Sequence, residues 1–198
     1  MLIGLTGLKG VGKDTVAAIL VKDYNYERRA FADPLKKSVA ALFDIPFHMV
    51  DKLKNDPSIR VTLVKHDYGL DQMRWAGHGN DLTFREFLQR YGTEAHRDVP
   101  EMGHDFWVEL LLPVRGYYAE RSIVVSDVRF DNEAKRVHFL DGVVVEVSRQ
   151  GVVNQDPHRS EAGLEYVEAD YTIFNNGSLE DLRVSVEVMM EHFSEYVA

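Results

Sequence analysis

The segment Gly7-Leu8-Lys9-Gly10-Val11-Gly12-Lys13 constrains this chain more than any other stretch of similar length. It fits the pattern G-x-x-x-x-G-K. The apolar run Leu2 to Thr6 precedes it, and after it Val16, Ile19 and Leu20 fall at i, i+3 and i+4. The order reads as buried strand, glycine turn, amphipathic helix over about Lys13 to Asp23. Glycines allow backbone turns that a Cβ would block. Successive N–H groups can then point inward around an anion, and the helix adds the positive end of its dipole. Lys13 stands where an ammonium group would reach the β- and γ-phosphates of a nucleotide. Directly after the lysine, the fuller pattern has a Ser or Thr hydroxyl that ligates Mg²⁺; here Asp14 holds that place and Thr15 follows. A carboxylate is also a hard oxygen donor, so Asp14 is a candidate Mg²⁺ ligand, directly or through water. Thr15 is placed to donate to an earlier phosphate.

Downstream, short apolar runs alternate with helical patterns. Strands are expected at Tyr26 to Ala32, Ser122 to Ser126, Val143 to Val147 and Tyr171 to Phe174. Helices are expected from Asp33-Pro34 to about Phe43, over Thr83 to His96, Phe106 to Glu120 and Asp131 to Leu140, and from Ser178 onward. The polar stretch Asp44 to Asn80 reads as an inserted lobe or flap, and Gly151 to Gly163 as a polar loop able to close over a site. Alternation of this kind predicts an α/β fold, a parallel sheet with helices on both faces. The whole chain, 1–198, reads as one domain carrying that insertion. In such sheets ligands bind at the carboxyl ends of the strands, where the glycine turn lies.

Composition removes several function classes. The chain has 198 residues with 32 acidic against 23 basic side chains, a formal net charge of -9. That balance argues against a nucleic-acid polymer, whose affinity rests on phosphate neutralisation, but not against a mononucleotide. There is no cysteine, which excludes disulfides, thiolate zinc sites and a Cys nucleophile. With no H-E-x-x-H either, a zinc site is not expected. No run approaches the roughly 20 apolar residues of a spanning helix. Gly7, Lys9, Gly10 and Gly12 interrupt the apolar start, so a secretory leader is not expected. The expectation is a soluble cytoplasmic protein with no membrane partner.

No N-K-x-D segment of the kind that reads a base in switch hydrolases is present. The chain offers instead a series of groups suited to a second phosphate. In Phe31-Ala32-Asp33-Pro34-Leu35-Lys36-Lys37, the first amides of a helix and Lys36 could hold an acceptor phosphate or ribose. Arg85 and Gln89 share a helical face at i and i+4; Arg grips phosphate bidentately and Gln can bond a base edge. Trp107 could stack on a base. Asp127 ends the best core strand, where an acid could hold Mg²⁺ through water or orient the attacking group. Arg129 could stabilise the equatorial oxygens of a transferring phosphoryl group. His158 and Glu161 could close over a substrate. Each residue has a plainer reading: a capped helix with solvated lysines, a surface pair, a core tryptophan, a salt bridge at a helix start.

Taken in order, these motifs resemble the bacteriophage deoxynucleoside monophosphate kinases. The resemblance is carried by Gly7 to Thr15 with its G-K-D-T ending, Ala32 to Lys36, Arg85 with Leu88-Gln89 and Gly92-Thr93, and Phe106-Trp107-Val108. It continues through Asp127-Val128-Arg129 with Glu133, His158 to Leu164 and Asp170 to Leu182, and so covers nearly the whole chain. It implies a P-loop NTPase-type parallel sheet with an inserted substrate-binding lobe, and transfer of the γ-phosphate of ATP to a dNMP with Mg²⁺. It also suggests a homodimer. Gly10, Gly12, Lys13, Asp14 and Thr15 would bind ATP. Lys9, Leu35, Lys36, Arg85, Gln89, Trp107, Arg129, Glu133 and Glu161 would lie around the acceptor nucleotide, and Lys13, Asp127 and Arg129 would carry the chemistry. Asp14 and Asp127 would serve the metal. The sequence is also similar to animal phosphomevalonate kinases, which share the G-K-D ending, a D-x-R after a core strand and an E-x-G-L…N-x-G tail. Another phosphorylated acceptor, or a nucleotide-binding regulator without turnover, is therefore the alternative.

Overall fold

The computed structural model describes residues 1–61, 82–92, 105–113, 121–153 and 167–194. The elements in chain order are β1 (Leu2–Thr6), α1 (Lys13–Tyr24), β2 (Glu27–Arg29), α2 (Ala32–Leu42), α3 (Phe47–Asn55), β3 (Arg60–Val61) and β4 (Leu82–Thr83). They continue with α4 (Phe84–Gly92), α5 (Phe106–Leu111), β5 (Ile123–Val125), α6 (Asp131–Phe139), β6 (Val143–Ser148), β7 (Tyr171–Phe174) and α7 (Leu179–Ser194). Two compact units emerge, residues 1–32 with 108–198 and residues 33–107.

In the first unit a five-stranded sheet runs β2-β5-β1-β6-β7, and every pairing is parallel. Each residue of β1 is buried, as expected of a central strand covered on both faces. Strand alternation sorts the core into two layers. Ile3, Leu5, Val124, Val145, Val147 and Ile173 face Val16 and Leu20 of α1 and Leu182, Val186 and Met189 of α7. Leu2, Ile123, Val125 and Val144 face Ala134 and Val137 of α6 with Val108 and Leu111 of α5. The expected α/β sheet with helices on both faces is therefore present.

The second unit has its own core, in which Val39, Val50, Val61, Leu82, Phe84, Phe87 and Leu88 are buried. β3 and β4 pair antiparallel, Arg60 with Thr83 and Val61 with Leu82. Part of the stretch read as a flap is thus built from regular elements. Pro46 precedes α3, and Val50 of that helix is fully buried. Residues 62–80 lie outside the described residues.

Several boundaries move, each for a local reason. The expected strand through Ala32 stops at Arg29, and α2 starts at Ala32, because the Phe31 and Ala32 amides are drawn to the Asp127 carboxylate. Thr83 is in β4 and caps α4 instead of opening it: its Oγ1 accepts from the Glu86 amide, and its own amide donates to Glu86. The helix from Phe106 ends at Leu111, short of Pro113, since the position before a proline disfavours helical backbone. Ser178 and Asp181 make the same reciprocal cap for α7.

The Ser178 hydrogen bonds hold the Asp181 carboxyl below its ordinary range. A depressed folded-state value means that the cap stabilises above the unfolded carboxylate range and is lost as pH falls through the folded one. Ser178→Ala should lower Tm at pH 7 by about 2–4 °C, the effect of losing one helix cap in a chain of this size. The difference from wild type should shrink below about pH 4. Calorimetry at both pH values checks this.

Candidate active site

The turn between β1 and α1 depends on backbone that only glycine adopts easily. Gly7, Gly10 and Gly12 have φ of 129°, 87° and 109°, in the left-handed region. At two of them space is closed as well. A Cβ on Gly7 would run into the Val147 carbonyl oxygen, and one on Gly12 into the side-chain amide of Asn175. Val11 anchors the loop from inside at 2% exposure, while Lys9 and Gly10 are exposed. Asn175 follows β7; its Nδ2 donates to the Val11 carbonyl at 2.8 Å and its own amide to the Ser148 carbonyl. Lys13 is the first residue of α1, and its Nζ donates to the carbonyls of Gly7 at 2.5 Å and Leu8 at 2.8 Å. The ammonium group therefore lies across the loop, at the end of the helix that attracts anions.

Beside the loop, β5 delivers a tightly held segment. The Ser126 amide donates to Arg29, the Val128 amide to Leu5, and the amides of Arg129 and Phe130 to the Glu133 carboxylate at 2.7 and 3.2 Å. Glu133 is only 2% exposed. The resemblance placed it against the acceptor; the structure turns it into the loop that carries Arg129, a correction that follows from two backbone amides needing a buried acceptor. Asp127 is likewise committed, one carboxylate oxygen accepting from Phe31 at 2.5 Å and the other from Ala32 at 3.1 Å. It caps α2, the helix that bears Leu35 and Lys36. Asp14, with its side chain 81% exposed, pairs with Arg28. The Arg28 Nε also donates to the Ser126 hydroxyl at 3.1 Å.

The first unit thus brings together Lys13, Asp14, Thr15, Asp127 and Arg129 at the carboxyl edge of β1 and β5. Lys9, Gly10 and Gly12 are in the same unit, whereas Leu35, Lys36, Arg85, Gln89 and Trp107 belong to the second. Leu35 packs on Gly92. Lys36 pairs with Asp51 at 3.0 Å and Arg85 donates to Asn55 at 3.0 Å, so both cations are met by α3. Gln89 on α4 is half-buried. Trp107 is 4% exposed, its Nε1 donates to the Gly92 carbonyl at 2.9 Å, and its ring meets Phe106 edge-on. The stacking role read for Trp107 is replaced by the core reading, because its ring is enclosed and its polar atom is used. Glu161 and His158 lie outside the described residues.

Sequence reasoning missed Arg28, Asn175, Ser126, Asp51 and Asn55. The signal available was position: Ser126 and Asn175 directly follow β5 and β7, at the edge to which the glycine turn pointed, whereas Arg28 lies within β2 and meets Ser126 only because β2 pairs with β5.

A glycine loop after a central parallel strand, a lysine opening the next helix, and an Asp-x-Arg segment after the neighbouring strand define a P-loop phosphotransferase. Residues 55–186 match the family described as Deoxynucleotide monophosphate kinase. A protein of Acanthamoeba polyphaga mimivirus, provisionally given that name, is 31% identical over 98% of this chain and 98% of its own length. The deoxynucleotide monophosphate kinase of Enterobacteria phage T4 is 25% identical over 91% of this chain and 95% of its own. That of Escherichia phage RB69 is 31% identical over 54% of this chain and 45% of its own. The chain belongs to the deoxynucleotide monophosphate kinase family. Among solved structures, shikimate kinase from Aquifex aeolicus superposes over 98% of both chains at 12% identity with a TM-score of 0.44, too loose a likeness to bear on function.

The Asn175 brace carries a prediction. Asn175→Ala leaves the Val11 carbonyl without its buried donor and removes the contact behind Gly12. We expect ATP affinity to fall by about tenfold, with stability reduced by about 1–3 kcal/mol. Calorimetric ATP titration and a denaturation curve check it, and unchanged ATP affinity would show that the brace has no influence on the loop.

Proposed function

We infer that this chain transfers the γ-phosphoryl group of ATP to a deoxynucleoside monophosphate, giving ADP and the deoxynucleoside diphosphate. The observation that carries the reading is the glycine loop with Lys13 lying across it, in a chain of this family. The relatives named above are deoxynucleotide kinases, and phosphomevalonate as acceptor has no support among them. Among the described residues no helix is long and apolar enough to cross a membrane. The same reading places the enzyme in the cytoplasm, the host's where a phage encodes it, and expects a homodimer, which light scattering tests.

The chemistry is an in-line displacement. A non-bridging oxygen of the acceptor's monophosphate attacks the γ-phosphorus, the bond from γ-phosphorus to the β–γ bridging oxygen breaks, and ADP leaves with that electron pair. Such a reaction asks the protein for alignment and charge rather than covalent help. The loop amides, with Gly10, Gly12 and Thr15, hold the triphosphate. Lys13 leaves the Gly7 and Leu8 carbonyls to bridge β- and γ-oxygens. Arg129, on a segment held by Glu133, meets the equatorial oxygens of the transferring group. Asp14, and Asp127 through water, are hard oxygen donors of the kind Mg²⁺ takes, and they suit an ion that keeps several waters and phosphate ligands. Among the described residues no cluster of three or more acidic or histidine side chains converges, so a cage made of protein alone is not offered there. Bound there with ATP, Mg²⁺ would supply positive charge to offset the charge of the triphosphate. Lys9, Leu35, Lys36, Arg85 and Gln89 are proposed for the acceptor, and Glu161 with the loop 151–163 for closure, which keeps water from the γ-phosphate.

A coupled ADP-release assay over the dNMPs and phosphomevalonate tests the reaction; ADP formation should be stimulated by dNMPs alone. Lys13→Ala should cut turnover at least 100-fold while the thermal transition is retained. Near wild-type turnover in that variant would remove Lys13 from the mechanism. Lys36→Ala should raise KM for the acceptor about tenfold and leave KM for ATP within about twofold, the split expected of a charge-assisted contact made to one substrate only. Equal changes in both would place Lys36 elsewhere.

A further inference from the structure

Asp14 poses an electrostatic problem. It occupies the place where a neutral hydroxyl would follow the loop lysine, so a fixed negative charge stands beside the binding place of a highly charged anion. Like charges this close oppose binding unless a cation intervenes. The structure supplies one. Arg28 is the middle residue of β2, in register with Val124 of β5. Its Nη2 donates to the Asp14 carboxylate at 2.5 Å and its Nε to the Ser126 hydroxyl at 3.1 Å. Ser126 is 4% exposed, and its amide is tied to the Arg29 carbonyl at 3.0 Å. The guanidinium is thus held on one side by the hydroxyl of a buried serine and meets Asp14 on the other. Its neighbour Arg29 turns away and pairs with Glu27, as alternation along a strand requires. A planar guanidinium offers its Nε and Nη2 donors in a fixed fork, so both contacts are made with the side chain in one arrangement.

We propose that Arg28 is a positioning residue of the donor site. It offsets the charge of Asp14 and holds that carboxylate clear of the phosphates, so that the glycine loop accepts a triphosphate before a divalent cation is in place. The same pairing makes Arg28 and a metal ion competitors for Asp14. The inference rests on the kinase reading only through the assignment of the loop as the triphosphate site.

The test is ATP affinity, measured by calorimetry with EDTA and again with Mg²⁺, for wild type, Arg28→Gln, Asp14→Asn and the double variant. In EDTA, Arg28→Gln should weaken ATP about tenfold or more, and Asp14→Asn should strengthen it about threefold, because Arg28 then serves the phosphates alone. The double variant should fall well short of the sum of the single effects, as coupled residues do. With Mg²⁺ present the loss in Arg28→Gln should be smaller, since Asp14 then has another partner. Additive effects, or ATP binding unaltered in both single variants, would overturn the proposal. Asp14 is exposed and removable without touching the core, so its variant decides the matter even where Arg28→Gln folds poorly. If wild type itself does not bind ATP, the kinase reading fails instead, and the two failures are told apart.

Discussion

The fold of the donor site hangs on one steric fact: the backbone after β1 passes so close to Val147 and Asn175 that residues 7 and 12 have no room for a side chain. Positive φ alone could be tolerated at some cost by asparagine. Positive φ with a carbonyl or an amide where Cβ would go leaves glycine only. The tight passage lets the loop curl back to the start of α1, brings Lys13 over the Gly7 and Leu8 carbonyls, and points the positive end of α1 at whatever the loop encloses. The apolar layers serve that geometry. Val11 plugs the loop into the core, and Val16 and Leu20 hold α1 against the sheet, so the loop is suspended between two rigid elements.

The same economy appears after β5. A segment of irregular backbone carries the proposed transfer arginine, and nearly every amide along it has a named acceptor: Arg29, Leu5, and Glu133 twice. Irregular backbone beside a buried core must find such partners, and the side chain that supplies them here is charged. A charge-assisted bond to backbone amides is stronger than a neutral one, so Glu133 fixes the segment more firmly than a carbonyl would. Asp127 does the equivalent for the start of α2. Two acids that looked like ligands for substrate or metal thereby acquire a task within the protein itself. For Asp127 the two tasks are compatible, because a carboxylate has more acceptor positions than two amides occupy.

How far the sequence could be read follows from which forces act locally. The strand–loop–helix opening was legible because periodicity and glycine spacing are written in neighbouring residues, and the central strands were legible as β-branched runs. The α3 region was not, because Phe47 to Asn55 mixes apolar and charged residues over only nine positions and its burial rests on Val50 and on partners from α2 and α4. Trp107 could be read either way, since nothing in its neighbours tells whether its indole nitrogen meets Gly92 or a ligand. The contacts made by Arg28, Glu133 and Asn175 join residues 98, 4 and 164 positions apart. The short one, Glu133 to Arg129, was there to be seen as an acid at the third position of a helix, the usual place for one that caps. The other two needed the sheet order, which brings β2 beside β5 and sets β7 two strands away from β1.

The second unit shows a division of labour between apolar and polar groups. Lys36 and Arg85 meet Asp51 and Asn55, four residues apart on α3 and so on one face. A partly exposed ion pair such as Lys36–Asp51 contributes about 0–1 kcal/mol, and a hydrogen bond to a neutral amide such as Arg85–Asn55 a similar amount, too little to hold α3 where it is. The buried Val50, with Val39, Phe87 and Leu88 around it, supplies that. What the pairs can do is restrict two long side chains, each of which otherwise gives up about 1.5–2 kcal/mol of rotamer entropy when immobilised. A cation already held in one arrangement loses less of that freedom when it grips a phosphate. In the proposed acceptor site Asp51 would have to give way to the phosphate or share Lys36 with it, so part of the attraction would be cancelled and the remainder would fall on a group able to reach both cations together. A dianionic monophosphate would meet that demand and an isolated carboxylate would not. Partial pairing of this sort would sharpen selection at some loss of affinity, a sensible exchange for a site that must release a diphosphate still more highly charged than the substrate it took in.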